Sequence, residues 1–178
     1  MGKSPLALGV ALPHNSRVIK SRGFILQASY RIVTQRSGER VPVVHIYGRL
    51  EDGGTFLVRD DRQRPHFYIR AADAERARAL RAPVPMPVDK RTFDGDPVCR
   101  IEAETPSDVP GVRDRLHAAG IDTFEADVRF AVRYLIERGI KGGCEIEGEA
   151  TAGTGITQVF DNPDRKSTRL NSSHPYRS

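Results

Sequence analysis

Several residue groups in this chain have types and spacings that invite a chemical reading. Asp73-Ala74-Glu75 comes first. Two carboxylates two residues apart can hold metal ions for phosphodiester chemistry when both project from one face of a buried strand. Here the pair opens an Ala- and Arg-rich stretch that reads as a helix, where acids instead complement the positive N-terminal end. Asp94-Gly95-Asp96 resembles a metal loop, but it lacks the further oxygen donors that calcium requires. It reads as a turn before Pro97. Glu102 and Glu104 share one strand face and read as solvated. His14, His45, His66 and His117 are scattered, with no metal spacing and no nucleophile motif nearby. Gly153-Thr154-Gly155 is too short for a phosphate-binding signature. No residue is assigned to catalysis or to a metal.

The segment from Phe124 to Ile140 is more informative. It gathers Glu125 and Asp127 with Arg129, Arg133 and Arg138, and interleaves Phe130 and Tyr134. The three arginines have the chemistry to neutralise phosphates. Phe130 and Tyr134 either stack on bases or pack a core. An ordinary amphipathic helix with a basic outer face accounts for the same pattern.

Elements to position this segment can be read on both sides of it. Phe24 to Thr34 alternates apolar and polar residues as a strand does. Ser37-Gly38-Glu39 is a turn, Val43 to Leu50 a second strand, and Asp52-Gly53 a hairpin turn before Thr55 to Val58. Residues 60 to 64 form a charged loop, and His66 to Arg70 a short strand. Asp73 to Leu80 has helical spacing. Residues 82 to 97 are Pro-rich and read as a connection. Val98 to Glu104 is a strand. Ser107 or Asp108 caps a helix that Gly120 ends. Ile121 to Glu125 is a strand, Phe130 to Arg138 a helix, Cys144 to Glu147 the start of a strand, and residues 148 to 157 a Gly- and Thr-rich loop. The expected fold class is α+β: an antiparallel β meander plus an α/β unit.

Residues Asp164 to His174 match a frame translation of a common sequencing-adapter oligonucleotide, and Pro175 to Ser178 read as its continuation. Such a tail, 164–178, is set aside from fold reasoning. It implies a reading frame interrupted near residue 163. The chain has 28 basic and 23 acidic residues; Arg165, Lys166, Arg169, Arg177 and Asp164 fall in the tail, so residues 1–163 carry 24 against 22. That near balance does not by itself demand a nucleic-acid partner. Cys99 and Cys144 are isolated, which fits a reducing, cytoplasmic setting. No window approaches the roughly 18 apolar residues of a membrane span. Residues 1–22 read as a disordered extension.

The segment Phe124 to Ile140 resembles the end of the N-terminal domain of family B DNA polymerases, of the bacterial polymerase II and archaeal types. The resemblance runs through Glu104 to Pro110, Arg64 to Ile69 and the opening strand Gly23 to Leu26 with Tyr30. It covers 23–150, leaving 151–163 as a linker. It implies an RNA-binding-like (ferredoxin-like) unit that contacts single-stranded template DNA, ahead of exonuclease and polymerase domains in the same chain. It also implies magnesium-dependent synthesis and 3′–5′ proofreading in the parent enzyme, in replication or repair. The positions matching the family's template pocket are Tyr30, Pro65, Val109, Pro110, Val128, Phe130 and Arg133. Apolar walls admit a flat base, and an arginine holds a neighbouring phosphate. Arg129 stands where uracil-sensing archaeal members carry proline, which keeps template contact and puts uracil sensing in question. The alternatives are an independent RNA- or single-stranded-DNA-binding domain and a purely structural docking domain.

Overall fold

The structure, a computed structural model, describes residues 17–163. The adapter-like tail, His14 and most of the expected N-terminal extension lie outside the described residues.

Five strands close into a barrel. They are β1 (Arg17–Thr34), β2 (Arg40–Leu50), β3 (Thr55–Asp60), β7 (Gly143–Gly153) and β8 (Ile156–Asp161), in the order β1-β2-β3-β8-β7 and back to β1. All neighbours are antiparallel except β3 and β8. β1 serves two partners: its first half pairs with β7 and its second half with β2, with an irregularity between Ile25 and Gln27 where the strand changes partner. Gly23 and Gly48 make the bend possible. A Cβ on Gly48 would stand 2.3 Å from both the Phe24 carbonyl oxygen and the Phe56 ring, and one on Gly23 would stand 2.3 Å from the Arg49 carbonyl oxygen. Only glycine admits such close backbone approach. Phe56 fills the space and joins Val44, Ile46, Val58, Ile146 and Phe160 in the barrel core. This closure, with a helix-bearing insertion after the third strand, is the topology of the five-stranded oligonucleotide-binding barrel.

The insertion is a second α+β unit. Its elements are β4 (His66–Arg70), α1 (Ala74–Ala79), β5 (Met86–Arg91), β6 (Pro97–Glu102) and α2 (Val109–Ala118). The sheet order is β4-β6-β5. Phe124 adds a single antiparallel bridge to Tyr68 on the free side of β4. Two β-α-β passes with that order are ferredoxin-like. Phe67, Ile69, Cys99 and Ile101 turn one sheet face onto Ala77, Val112 and Leu116 of the helices. Helix α3 (Phe130–Glu137) then returns to the barrel and inserts Phe130 and Tyr134 into its core. The fold is thus α+β as the sequence suggested.

Four sequence expectations change. Residues 86–91 are a strand, not a connection; β5 pairs on one side only, which is where Pro87 can sit without breaking a ladder. Residues 121–125 form one bridge instead of a strand. Residues 148–157 belong mostly to β7 and β8, joined by a tight turn at Thr154 and Gly155. Residues 17–22 pair with β7, so the folded unit begins before residue 23 and also takes in 151–161. Asp108, one of the two expected caps, is the residue before α2, and the Thr105 hydroxyl and backbone N–H both donate to its carboxylate across a 3-10 turn at Pro106–Asp108. No helix among the described residues is long and apolar enough to cross a membrane.

Candidate nucleic-acid interface

Most of the carboxylates singled out in the sequence pair with arginines. Asp73 pairs with Arg76, Glu75 with Arg78, Asp96 with Arg70, Glu102 with Arg100 and Glu104 with Arg40. His117 bonds Thr123 on the surface.

The segment after Phe124 builds a cavity where the barrel meets the ferredoxin-like unit. Glu125 has φ 61°, a left-handed conformation that costs a non-glycine residue about 1 kcal/mol or more. Arg133 holds it there: Nη1 reaches the Glu125 carboxylate at 2.8 Å and Nη2 donates to the Glu125 carbonyl at 2.6 Å. The chain then turns through Ala126 and Asp127, with the Val128 amide donating to the Glu125 carbonyl at 3.3 Å, and reaches Arg129, the residue before α3, which starts at Phe130. Opposite, the Thr105 cap sets Val109 and Pro110 at the start of α2, and the Pro65 carbonyl accepts the Ala103 amide at 2.8 Å. The resulting cavity is about 170 Å³ and is lined by Pro65, Val109, Pro110, Val128, Phe130 and Arg133, with Pro106, His66 and residues 126, 127 and 129 completing it. Six of the seven expected positions therefore meet. The seventh, Tyr30, touches the cavity only through Phe130, edge-on at 5.5 Å between ring centroids and 89° between planes.

Two expected phosphate contacts are internal instead. The Arg133 side chain is 4% exposed and committed to Glu125. Arg138 is buried and donates to Asp60 at 2.6 Å. Arg129 is exposed, lines the cavity, and has no acidic partner among the described residues. It is the free cation of the three. The aromatic question also resolves: Tyr134 packs the barrel core with its hydroxyl on Asp60 at 3.1 Å, and Phe130 is buried and lines the cavity.

Two polar networks that the sequence did not reveal brace this junction. Asp60 is fully buried and accepts from Arg62, Arg138 and Tyr134. Burial pushes its carboxyl up, but the Arg62 and Arg138 contacts outweigh that and hold it below the ordinary carboxylate range. Burial and the neighbouring Asp60 push the Tyr134 phenol up. In the second network His66 Nε2 lies 2.8 Å from one Glu137 oxygen, and Gln63 donates to the other at 2.6 Å. His66 Nδ1 faces the Arg64 carbonyl at 2.9 Å, and the Tyr68 hydroxyl, 3.2 Å from Nε2, accepts from Lys90 at 2.7 Å. Burial works to raise Glu137, and the His66 and Gln63 bonds overcome it, bringing the carboxyl down to about 2. Asp60 sat in what read as a charged loop, and no local pattern marks a loop acid as buried.

No protein-family profile matches the chain. It is 34% identical to a DNA polymerase of Pyrococcus glycovorans over 56% of this chain and 15% of that one. It is 31% identical to a DNA polymerase of Thermococcus gorgonarius over the same shares. Among solved structures it resembles the family B DNA polymerase of the hyperthermophilic archaeon Pyrobaculum calidifontis, with a TM-score of 0.64 and 28% identity over 79% of this chain and 19% of that one. The chain thus spans less than a fifth of the length of the relatives it matches.

Proposed function

From this kinship with the archaeal family B DNA polymerases, we propose that the chain is the non-catalytic N-terminal domain of such an enzyme and contacts single-stranded template DNA. The observation that carries the reading is the cavity: apolar residues from the loop before β4, the start of α2 and the approach to α3 converge on one opening, with a free guanidinium at its rim. Proline, valine and phenylalanine side chains suit the faces of an unstacked base, and Arg129 suits the phosphate beside it. Arg133 serves as the clasp that shapes the cavity. Arg129 also changes the shape of the opening relative to uracil-sensing members, so the reading covers template contact and not recognition of uracil. In the parent enzyme, exonuclease and polymerase domains of the same chain would carry magnesium-dependent chemistry.

The test is fluorescence anisotropy of a labelled oligo-dT with the full chain at low ionic strength. Binding should weaken with salt, each phosphate contact contributing about 0.7 to the log–log slope. Arg129→Glu should reduce both affinity and slope. Salt-insensitive binding, or unchanged binding by Arg129→Glu, contradicts the proposal. One observation favours a second reading, a docking face for other polymerase domains: Phe24, Leu26 and Ile136 are 60%, 70% and 64% exposed. A dimer or domain complex that forms with the same affinity when Leu26 is changed to Ser would count against it.

A further inference from the structure

The hairpin of β5 and β6 ends in a turn that holds Phe93 in solvent. Phe93 is fully exposed, more so than any other large apolar residue among the described ones. The turn around it is tightly bonded. The Thr92 amide donates to the Asp96 carbonyl at 2.9 Å, the Gly95 amide to the Thr92 carbonyl at 3.0 Å, and the Asp96 amide to the Thr92 hydroxyl at 3.1 Å. Gly95 supplies the left-handed residue, with φ 90°, and its carbonyl accepts from Arg91 Nη1 at 2.8 Å. A ring displayed on so fixed a turn loses little freedom when a partner buries it, which favours a binding anchor. Charges of both signs flank the ring. Asp94 is exposed with no partner among the described residues, Asp96 pairs with Arg70, and Arg91 is exposed with one nitrogen on the turn. Further back on β5, Asp89 is exposed and Lys90 is held by the Tyr68 hydroxyl.

The same chain carries a matching socket. The α3 cavity has apolar walls from Pro65, Val109, Pro110, Val128 and Phe130, and its volume of about 170 Å³ admits one aromatic ring. Its rim is mixed in charge. Asp127 and Arg129 lie two residues apart, both exposed and neither paired among the described residues. Arg129 alone suits a phosphate; the two together also suit a turn that carries both signs. The hairpin cannot reach the cavity of its own chain. The cavity lies at the His66 end of β4, and the turn lies at the other end, where Arg70 holds Asp96. The five residues of β4, roughly 16 Å of extended chain, separate the two.

We infer that the hairpin turn of one copy enters the α3 cavity of a second copy, with Phe93 as the anchor, Asp94 facing Arg129 and Arg91 facing Asp127. Phe93-Asp94 presents the two groups that a template nucleotide presents, a flat apolar face and a neighbouring anion, so a cavity that suits one suits the other. The contact rests on the cavity and not on template DNA entering it. Because turn and cavity sit at opposite ends of the sheet, the contact is head-to-tail, and association grows with chain concentration. The interface is small, so it forms at high concentration and single-stranded DNA in excess displaces it.

The test is sedimentation velocity of the full chain over a range of concentrations, with and without oligo-dT. Wild type should gain mass with concentration, and oligo-dT should reverse the gain. Phe93→Ser, a change in no core, should weaken association by about 10-fold or more, the scale of losing an aromatic anchor. Asp94→Arg alone and Arg129→Glu alone should each weaken it. An equal mixture of those two variants should regain it, because each turn then finds a rim of opposite charge on the other variant, a rescue that misfolding cannot produce. A chain that stays monomeric at every concentration overturns the inference. So does association untouched by Phe93→Ser, a mixture no stronger than its components, or oligo-dT that binds without dispersing the assembly. A monomeric chain that still binds oligo-dT through Arg129 leaves the template reading standing. Association that needs Phe93 and Arg129, in a chain that ignores oligo-dT, supports the contact between copies and removes the template reading.

Discussion

Replacing Glu137 by Gln tests the brace between α3 and the ferredoxin-like sheet. The Glu137 carboxyl lies at about 2 in the folded chain against an ordinary 4.5. A drop of that size corresponds to at most about 3.4 kcal/mol favouring the folded, ionised state. The side chain is 29% exposed, so solvent screens part of this and about 2 kcal/mol is the expected share. Because the folded value is depressed, the stabilisation is fully present above about pH 4.5 and disappears as pH falls through about 2. Gln keeps one acceptor for the Gln63 amide but offers no charge to His66. Urea unfolding at pH 7 should therefore show Glu137→Gln less stable by about 2 kcal/mol. Repeating it down to pH 2 should show the two proteins converging, because the wild type alone loses this contribution. Other acids such as Asp60 slope both curves equally, so the difference between curves isolates Glu137. Two parallel curves across that range would refute the reasoning.

Further changes follow from the clasp and the barrel bend. Glu125→Ala should destabilise by about 2–4 kcal/mol, because it leaves the buried Arg133 without its counter-ion. Arg133→Met should cost less, since Glu125 is half exposed and can be solvated; urea midpoints in the opposite order would dismiss the clasp. Gly48→Ala should cost about 3 kcal/mol or prevent folding, since backbone on one side and the Phe56 ring on the other cannot both yield; a melting temperature within a degree or two of wild type would show that the bend relaxes. The Cys144 thiol, pushed up to about 11 by burial, should resist thiol reagents at neutral pH in native chain and react after denaturation.

Much of this architecture was legible locally. Asp52-Gly53 and Ser37-Gly38 mark turns, and alternation along β1 marks a strand, because each signal depends on neighbours a few residues away. The same holds for α3 and for Gly120, whose φ of 70° ends α2 as its position suggested. What stayed hidden depends on distant partners. Glu149 and Ala150 in the Gly- and Thr-rich stretch become strand because β1 pairs with them. Met86 to Arg91 becomes strand because β6 offers an edge. In the site, the resemblance gathered the cavity residues, yet it did not reveal which arginine is free. That distinction rests on Glu125 and Asp60 taking up Arg133 and Arg138, and acid–base pairing across the fold leaves no mark in residue spacing.

The parallel pairing of β3 with β8 has a consequence for the order of assembly. Thr55 and Thr157 bond across 102 positions of chain, so the barrel cannot seal until everything between them has been made and brought together. The ferredoxin-like unit lies wholly within that interval, and its contacts are local. By collapsing first it turns a long floppy loop into a short rigid spacer, lowering the entropy that closure must overcome. The insertion is thus a folding clamp as well as a wall of the cavity: the barrel strands before it wait, and a lesion in its small core should slow the closing of a sheet it barely touches.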